Sequence, residues 1–150
     1  MKTEDKICKY IDIPIQHSSD GILGSMRRAS TRASLLNTIG RLREAIPSIH
    51  IRTTLISGFP GEGKAEFEDL LAFVDEVKFE RLGIFSYSKE EGTPAAEMKP
   101  QVRRDVKDRR RDTILRHQIE ISLEHNQRKI GSLQEVLVEG IDDEGSYFGR

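Results

Sequence analysis

Residues 49–77 read IHIRTTLISGFPGEGKAEFEDLLAFVDEV. The first nine, Ile49 to Ser57, are a β-branched run that predicts a strand. Gly58-Phe59-Pro60-Gly61 is a turn by composition. Beyond it Phe67, Leu70, Leu71, Val74 and Val77 fall at i, i+3, i+4, i+7 and i+10, the spacing of a helix with one buried face. A strand, a tight turn and an amphipathic helix in this order form the repeating unit of an α/β fold. The same alternation extends on both sides. Arg81 to Ser88, RLGIFSYS, predicts the next strand, and Glu90-Glu91-Gly92-Thr93-Pro94 a loop. Upstream, Tyr10 to Ile15 predicts a short strand, with Pro14 near its end where a missing N–H is tolerated. Ser18, Ser19 or Asp20 can cap a helix running to about Arg28 with Ile22, Leu23 and Met26 on one face. Thr31 can cap a second helix that buries Leu35, Ile39, Leu42 and Ile46 and stops at Pro47. The pattern implies a parallel sheet with helices outside it.

From Gln101 to Arg128 the sequence predicts one long polar helix with apolar positions Val102, Val106, Ile114, Leu115, Ile119 and Leu123, a stripe that widens toward the end. Gly131 can end it. A strand is expected over Leu133 to Val138, a turn-rich link over residues 139–145, and a last strand over Ser146 to Arg150. Two such strands are not stable alone, so the chain reads as one unit over 1–128 and the opening of a second, cut short, over 131–150. The 150 residues suit one domain with a core. A single cysteine excludes an internal disulfide and any site built within this chain from several thiolates. Cys8 reads as a small core residue. The net charge of −1 argues against bulk electrostatic capture of nucleic acid. No apolar run approaches the ~20 residues of a membrane span, and MKTEDKICKY lacks the apolar stretch of a signal peptide. The expectation is a cytoplasmic protein without a membrane partner.

Four stretches carry possible chemistry. Gly58 to Lys64 fits G-x-x-x-x-G-K between strand and helix, the setting of a phosphate-binding loop. Against that reading, Ala65 stands where a magnesium-holding hydroxyl belongs, and Glu62 brings a carboxylate into a nest meant for anions. Gln16-His17-Ser18-Ser19-Asp20 follows the first strand; Gln16 suits a ribose or an adenine edge, and His17 is either a base, a ligand or a loop residue. Arg27 and Arg28 either complement a helix end or hold a carboxylate. Ser86 to Pro94 gathers polar groups past the third strand. All lie at the C-terminal edge of the expected sheet, where α/β folds bind ligands. A basic run, Arg103, Arg104, Lys107, Arg109, Arg110, Arg111 and Arg116, is interleaved with Asp105, Asp108 and Asp112, which favours a solvated face over an RNA surface.

The combination YIDIPIQHSSDGILGSMRR (10–28), IRTTLISGFPGE (51–62) and RLGIFSYSKEEGTPAA (81–96) resembles the second half of a radical S-adenosylmethionine methylthiotransferase. The resemblance is to the RimO type, which modifies the β-carbon of an aspartate in a small-subunit ribosomal protein. The sister type, acting on a tRNA adenosine, usually reads QSGS where Gln16 to Ser19 stand and carries an acidic residue at the position of Thr54. The resemblance implies the C-terminal half of a partial (β/α) TIM-like barrel, then a long helix and the first strands of a TRAM-type β-barrel. It implies cofactor contacts from Gln16 to the ribose and from Arg28, twelve residues on, to the methionyl carboxylate. A further contact falls on Thr54, where an acidic group is usual. The turn Gly58, Phe59, Pro60 and Gly61 would lie against the cofactor, and Phe85 and Tyr87 would wall the adenine. No catalytic residue and no metal ligand is implied in this chain.

The family's two 4Fe-4S clusters are held by a C-x-x-x-C-x-x-C motif and by further cysteines of an N-terminal domain, none of which this sequence contains. An isolated chain is therefore expected to be inactive, with a missing N-terminal half supplied elsewhere or lost from the gene. The remaining alternatives are a fragment of the tRNA-modifying sister enzyme and a non-catalytic module binding RNA or ribosomal protein.

Overall fold

The computed structural model describes residues 1–4 and 6–149. Three parallel strands form the main sheet: β1 (Tyr10–Gln16), β2 (His50–Ser57) and β3 (Arg81–Ser86), in that spatial order. The connections are helical, α1 (Asp20–Ser25) and α2 (Arg32–Ala45) between the first two strands, α3 (Lys64–Val77) between the second pair. After β3 come a one-turn helix α4 (Pro94–Glu97) and the long helix α5 (Arg104–Gln127), then a hairpin of β4 (Val138–Ile141) and β5 (Tyr147–Gly149). The strand–helix order expected from the sequence is the order observed.

β2 shows why the sheet has two unlike faces. Ile51, Thr53, Leu55 and Ser57 are buried, while Arg52 is exposed and Thr54 and Ile56 are half-buried. Of the buried set, Ile51 and Leu55 join Ile39, Leu70, Phe73, Val74, Val77, Phe79, Ile114 and Ile121 in one core, while Thr53 and Ser57 donate to Ile13 O and Lys107 O. The opposite face carries Asp12, Arg52 and Arg81 in register, with Thr54 beside Gly83 and Ile56 beside Phe85 toward the C-terminal edge. Asp12 and Arg52 pair at 3.0 Å, and Phe85 is 63% exposed. Parallel sheets normally bury both faces; this one covers only the helical side. Pro14 lies where the β1–β2 register slips between Ile13 and Gln16, so its missing donor falls at an irregularity of an edge strand.

Thr31 caps α2 as expected: its Oγ1 accepts from the Ser34 amide at 3.2 Å, and Ser34 Oγ accepts from the Thr31 amide at 2.8 Å. The first helix differs. Ser19 is its N-cap without a side-chain bond, Ser18 Oγ donates to Asp69 Oδ2 at 2.5 Å, and Asp20 Oδ1 accepts from the Arg32 amide at 2.7 Å. These side chains tie separate elements together instead of capping their own helix.

Three expectations are corrected. The stripe of α5 does not widen through Ile119 and Leu123, which are 67% and 55% exposed. The buried face is Lys107, Ile114, Gln118 and Ile121, one helix face at seven-, four- and three-residue steps. Two of its members are polar but bonded: Lys107 Nζ donates to Tyr87 O at 3.0 Å and Gln118 Nε2 to Phe79 O at 2.9 Å. Second, residues 133–137 form no strand; pairing starts at Val138, because the hairpin turn sets the register. In that turn Asp142 Oδ1 accepts from the amides of Glu144 and Ser146, and Gly145 takes φ +83°. The expected last strand ends at Gly149, and Arg150 lies outside the described residues. Third, Cys8 is exposed in the lead-in to β1, where no layer covers it.

Candidate functional site

The C-terminal ends of the three parallel strands bring their following loops to one edge. At the end of β1, Gln16 is half-buried with φ +74°, a left-handed conformation that costs a non-glycine residue roughly 1–2 kcal/mol. Its neighbour His17 is fully buried and held on both ring nitrogens. The Ser19 amide donates to Nδ1 at 3.0 Å, which leaves the ring proton on Nε2, 3.2 Å from Glu62 Oε2.

At the end of β2, Gly58 and Gly61 take φ +72° and +89°. At Gly58 glycine is required twice over, since a Cβ there would meet Lys107 Cγ at 2.2 Å. At Gly61 a Cβ would meet nothing within 4 Å, so the backbone there is open to approach. The Glu62 amide closes the turn onto Phe59 O at 2.9 Å, and the Gly61 amide donates to Pro100 O at 3.0 Å. The Glu62 carboxylate is fully buried. Its Oε2 accepts from the Gly58 amide at 2.8 Å and its Oε1 from Arg110 Nη1 at 2.7 Å. Arg110 also donates to Glu62 O at 2.9 Å and lies over the Phe67 ring at 5.3 Å. The turn's own carboxylate thus fills the nest, and Lys64, 86% exposed, pairs with Glu68 at 3.5 Å. That arrangement contradicts the phosphate-loop reading.

At the end of β3, the Tyr87 amide donates to Ser57 O at 2.8 Å. Its ring meets Phe59 edge-on at 5.2 Å and carries Lys107 Nζ 4.6 Å over its face. The Tyr87 hydroxyl is buried and has no hydrogen-bond partner among the described residues. Burial, with Arg104 adding to it, holds the Lys107 ammonium below the usual lysine range. Ser86 Oγ donates to Asp108 Oδ1 at 2.7 Å; that bond, helped by Arg104 and Arg111, holds the Asp108 carboxyl below the usual carboxylate range.

Two clefts open at this edge. One, of about 230 Å³, is lined by Met26, Arg27, Phe59, Thr93 and Pro94 among others. The other, of about 290 Å³, is lined by Phe85, Ser86, Tyr87 and Ser88 with Arg104, Asp108 and Arg111. A larger depression lies at the far end of α2, between Thr38 and Ala45, toward the opposite edge of the sheet. Of the expected cofactor contacts, Phe59, Phe85 and Tyr87 line the two clefts, whereas Gln16, Arg28, Thr54, Gly58, Pro60 and Gly61 do not. Arg28 is exposed, and Thr54 is half-buried on the open sheet face. Phe85 and Tyr87 both border the second cleft, Tyr87 with its ring against Phe59 and Lys107 and Phe85 largely exposed.

Sequence reasoning missed the joint role of His17, Glu62 and Arg110. Its one signal was the carboxylate at position 62 of a glycine-rich turn, which needs a buried donor set that only the fold supplies. The basic run on α5 is largely neutralised: Arg103 pairs with Asp105, Arg104 and Arg111 with Asp108, and Arg110 with Glu62.

The chain is similar to several ribosomal protein uS12 methylthiotransferases named RimO. That of Caldanaerobacter subterraneus subsp. tengcongensis is 50% identical over 150 residues, all of this chain and 34% of the relative. That of Geobacter sulfurreducens is 50% identical over 144 residues, 96% of this chain and 32% of the relative. That of Clostridium botulinum strain Okra is 47% identical over 150 residues, again 34% of the relative. The chain spans about a third of the length of these curated relatives. No protein-family model matches it.

Proposed function

Because the chain belongs to the RimO family of methylthiotransferases as a segment about a third of its members' length, we propose that it supplies part of the S-adenosylmethionine-binding wall of such an enzyme. The observation that carries the reading is the one-sided sheet. Helices cover one face, the other is open, and three loops with polar groups and left-handed backbone meet at its C-terminal edge. An incomplete (β/α) barrel viewed from its lumen would present such a face, which supports the reading. The rest of the family's sequence would close the barrel, and residues 131–149 would begin the substrate-holding β domain.

The residues present fit S-adenosylmethionine. Gly61 leaves its backbone open to approach, and the buried Tyr87 hydroxyl has no partner among the described residues. Gln16 is suited to the ribose, Arg28 to the methionyl carboxylate, the Gly58–Gly61 turn and Tyr87 to the adenosyl portion; Thr54 would reach the ribose only as a neutral group. When bound in the complete enzyme, the cofactor supplies the radical that activates the aspartate β-carbon of the ribosomal protein. The same residues do not fit an iron–sulfur cluster. The one cysteine is exposed, and no group of three or more His, Cys, Asp or Glu side chains able to hold a metal occurs among the described residues. The clusters would belong to the remaining sequence. No helix among the described residues is long and apolar enough to cross a membrane.

The test has two arms. S-adenosylmethionine titrated into the isotopically labelled chain is expected to shift the amide resonances of Gln16, Gly58 to Gly61 and Tyr87, and not those of the hairpin. Reconstitution with iron and sulfide is expected to give no cluster absorbance and no 5′-deoxyadenosine. Shifts confined to other residues, or turnover by the chain alone, overturn the proposal.

A further inference from the structure

We propose that Glu62 is a positioning residue whose buried carboxylate locks the Gly58–Gly61 turn and the Gln16–Ser19 corner to α5, so that one group sets both loops that would face the cofactor. The inference rests on the cofactor assignment above and assigns a role that the assignment does not contain.

The geometry is specific. Each oxygen of the carboxylate serves a different element: Oε2 takes the Gly58 amide and His17 Nε2, and Oε1 takes Arg110 Nη1 from α5. His17 passes the constraint on, because its other nitrogen takes the Ser19 amide. Ser18 holds the same corner to α3 through Asp69, which Arg32 also meets at 3.3 Å. Between these two anchors and the end of β1 stands Gln16, whose left-handed backbone no regular structure explains. Strain of that kind persists only where the surroundings over-determine it; here the residues that follow are pinned from two sides. A buried carboxylate with several charge-assisted partners is costly to disturb, so the lock has one arrangement and the loops share it.

The experiment measures amide hydrogen exchange and S-adenosylmethionine affinity on the full chain in Glu62→Gln and His17→Gln. Ile49→Val serves as a core variant that lowers stability at the other end of the sheet from the loops, and Glu66→Gln as a loop variant that disturbs the Gly63 amide, its partner at 2.9 Å. The lock predicts that both Glu62→Gln and His17→Gln speed exchange at the Gly58 and Ser19 amides together, by about tenfold. It also predicts that both weaken S-adenosylmethionine binding, because without the shared carboxylate the two loops no longer stand in the geometry that meets the cofactor. Ile49→Val and Glu66→Gln leave affinity and the two amides unchanged. If His17→Gln leaves the Gly58 amide as in the wild type, or Glu62→Gln leaves the Ser19 amide so, there is no shared lock and the proposal fails. It fails equally if exchange rises while affinity holds, since Glu62 is then structural only. A wild-type chain that shows the exchange coupling but binds no S-adenosylmethionine overturns the cofactor assignment, and the positioning role with it, while leaving the lock as a fact of the fold.

Discussion

Gly58 and Lys107 meet at van der Waals distance although one ends a strand and the other lies on the last long helix. The lysine stem fills the space a side chain at 58 would need, and its ammonium caps Tyr87 O and the Tyr87 ring. The glycine is therefore fixed by packing as well as by its positive φ. Gly61 has the positive φ but open space. Gly61→Ala should cost the backbone penalty alone, about 1–2 kcal/mol. Gly58→Ala should cost about 1–3 kcal/mol more from overpacking. Urea unfolding of both variants measures the difference, and in a Lys107→Ala background the excess at Gly58 should shrink, because Cγ and Cδ are removed while alanine keeps the Cβ that lies at 2.9 Å. Equal costs at the two glycines would mean that the lysine stem does not define the turn.

At the scale of elements, α5 decides how α3 and the sheet are covered, and it also shows where sequence reading stops. Ile114 was legible because it is apolar and central. Lys107 and Gln118 were not, because their burial depends on carbonyl acceptors, Tyr87 O and Phe79 O, that come from distant parts of the chain. Ile119 and Leu123 misled for the opposite reason: apolarity alone does not say which face meets the core. α2 and α3, whose apolar spacing is unambiguous, were read correctly down to the capping threonine. Ile121→Ala should therefore destabilise by about 2–4 kcal/mol, while Ile119→Ala and Leu123→Ala stay within about 0.5 kcal/mol. Comparable losses from Ile119 and Ile121 would place the helix in the wrong rotation. The chain after α5 makes a second, pH-sensitive tie. Lys129 Nζ donates to His50 Nε2 at 3.4 Å at the start of β2. Burial first, then Lys129, Arg81 and His125, hold the His50 imidazole below its usual 6.5, with Glu80 opposing them. A depressed folded value means that protonation favours the unfolded chain. The stability from His50 is then complete above pH 6.5 and is lost as pH falls through the folded value. Unfolding curves from about pH 7.5 to about 5 should show a drop that His50→Gln reduces. A variant with the same pH dependence as wild type would remove His50 from the account.

The whole molecule is organised by a sheet finished on one side. The sequence made the parallel order and the common edge of the loops legible, because strand–helix alternation and right-handed crossovers leave few alternatives. It could not show that the second face would stand open, since half-buried Thr54 and Ile56 and exposed Phe85 look like ordinary strand residues. The proposed function has the remaining two-thirds of a relative's sequence close a barrel over that open face. Mixing this chain with a polypeptide comprising that remainder should raise its melting temperature in a dose-dependent way, because a partner that binds only the folded form stabilises by mass action. Phe85→Ser separates this from a general effect of added protein. In the isolated chain the ring is 63% exposed, so the change should stay within about 0.5 kcal/mol. In the mixture it should remove much of the gain, because the ring would then be buried against the partner. Ile119→Ser, on the exposed side of α5, supplies the matched control and should leave the gain intact. A melting temperature that ignores the added polypeptide, or falls equally short with either substitution, would mean that the open face is not the inside of a barrel.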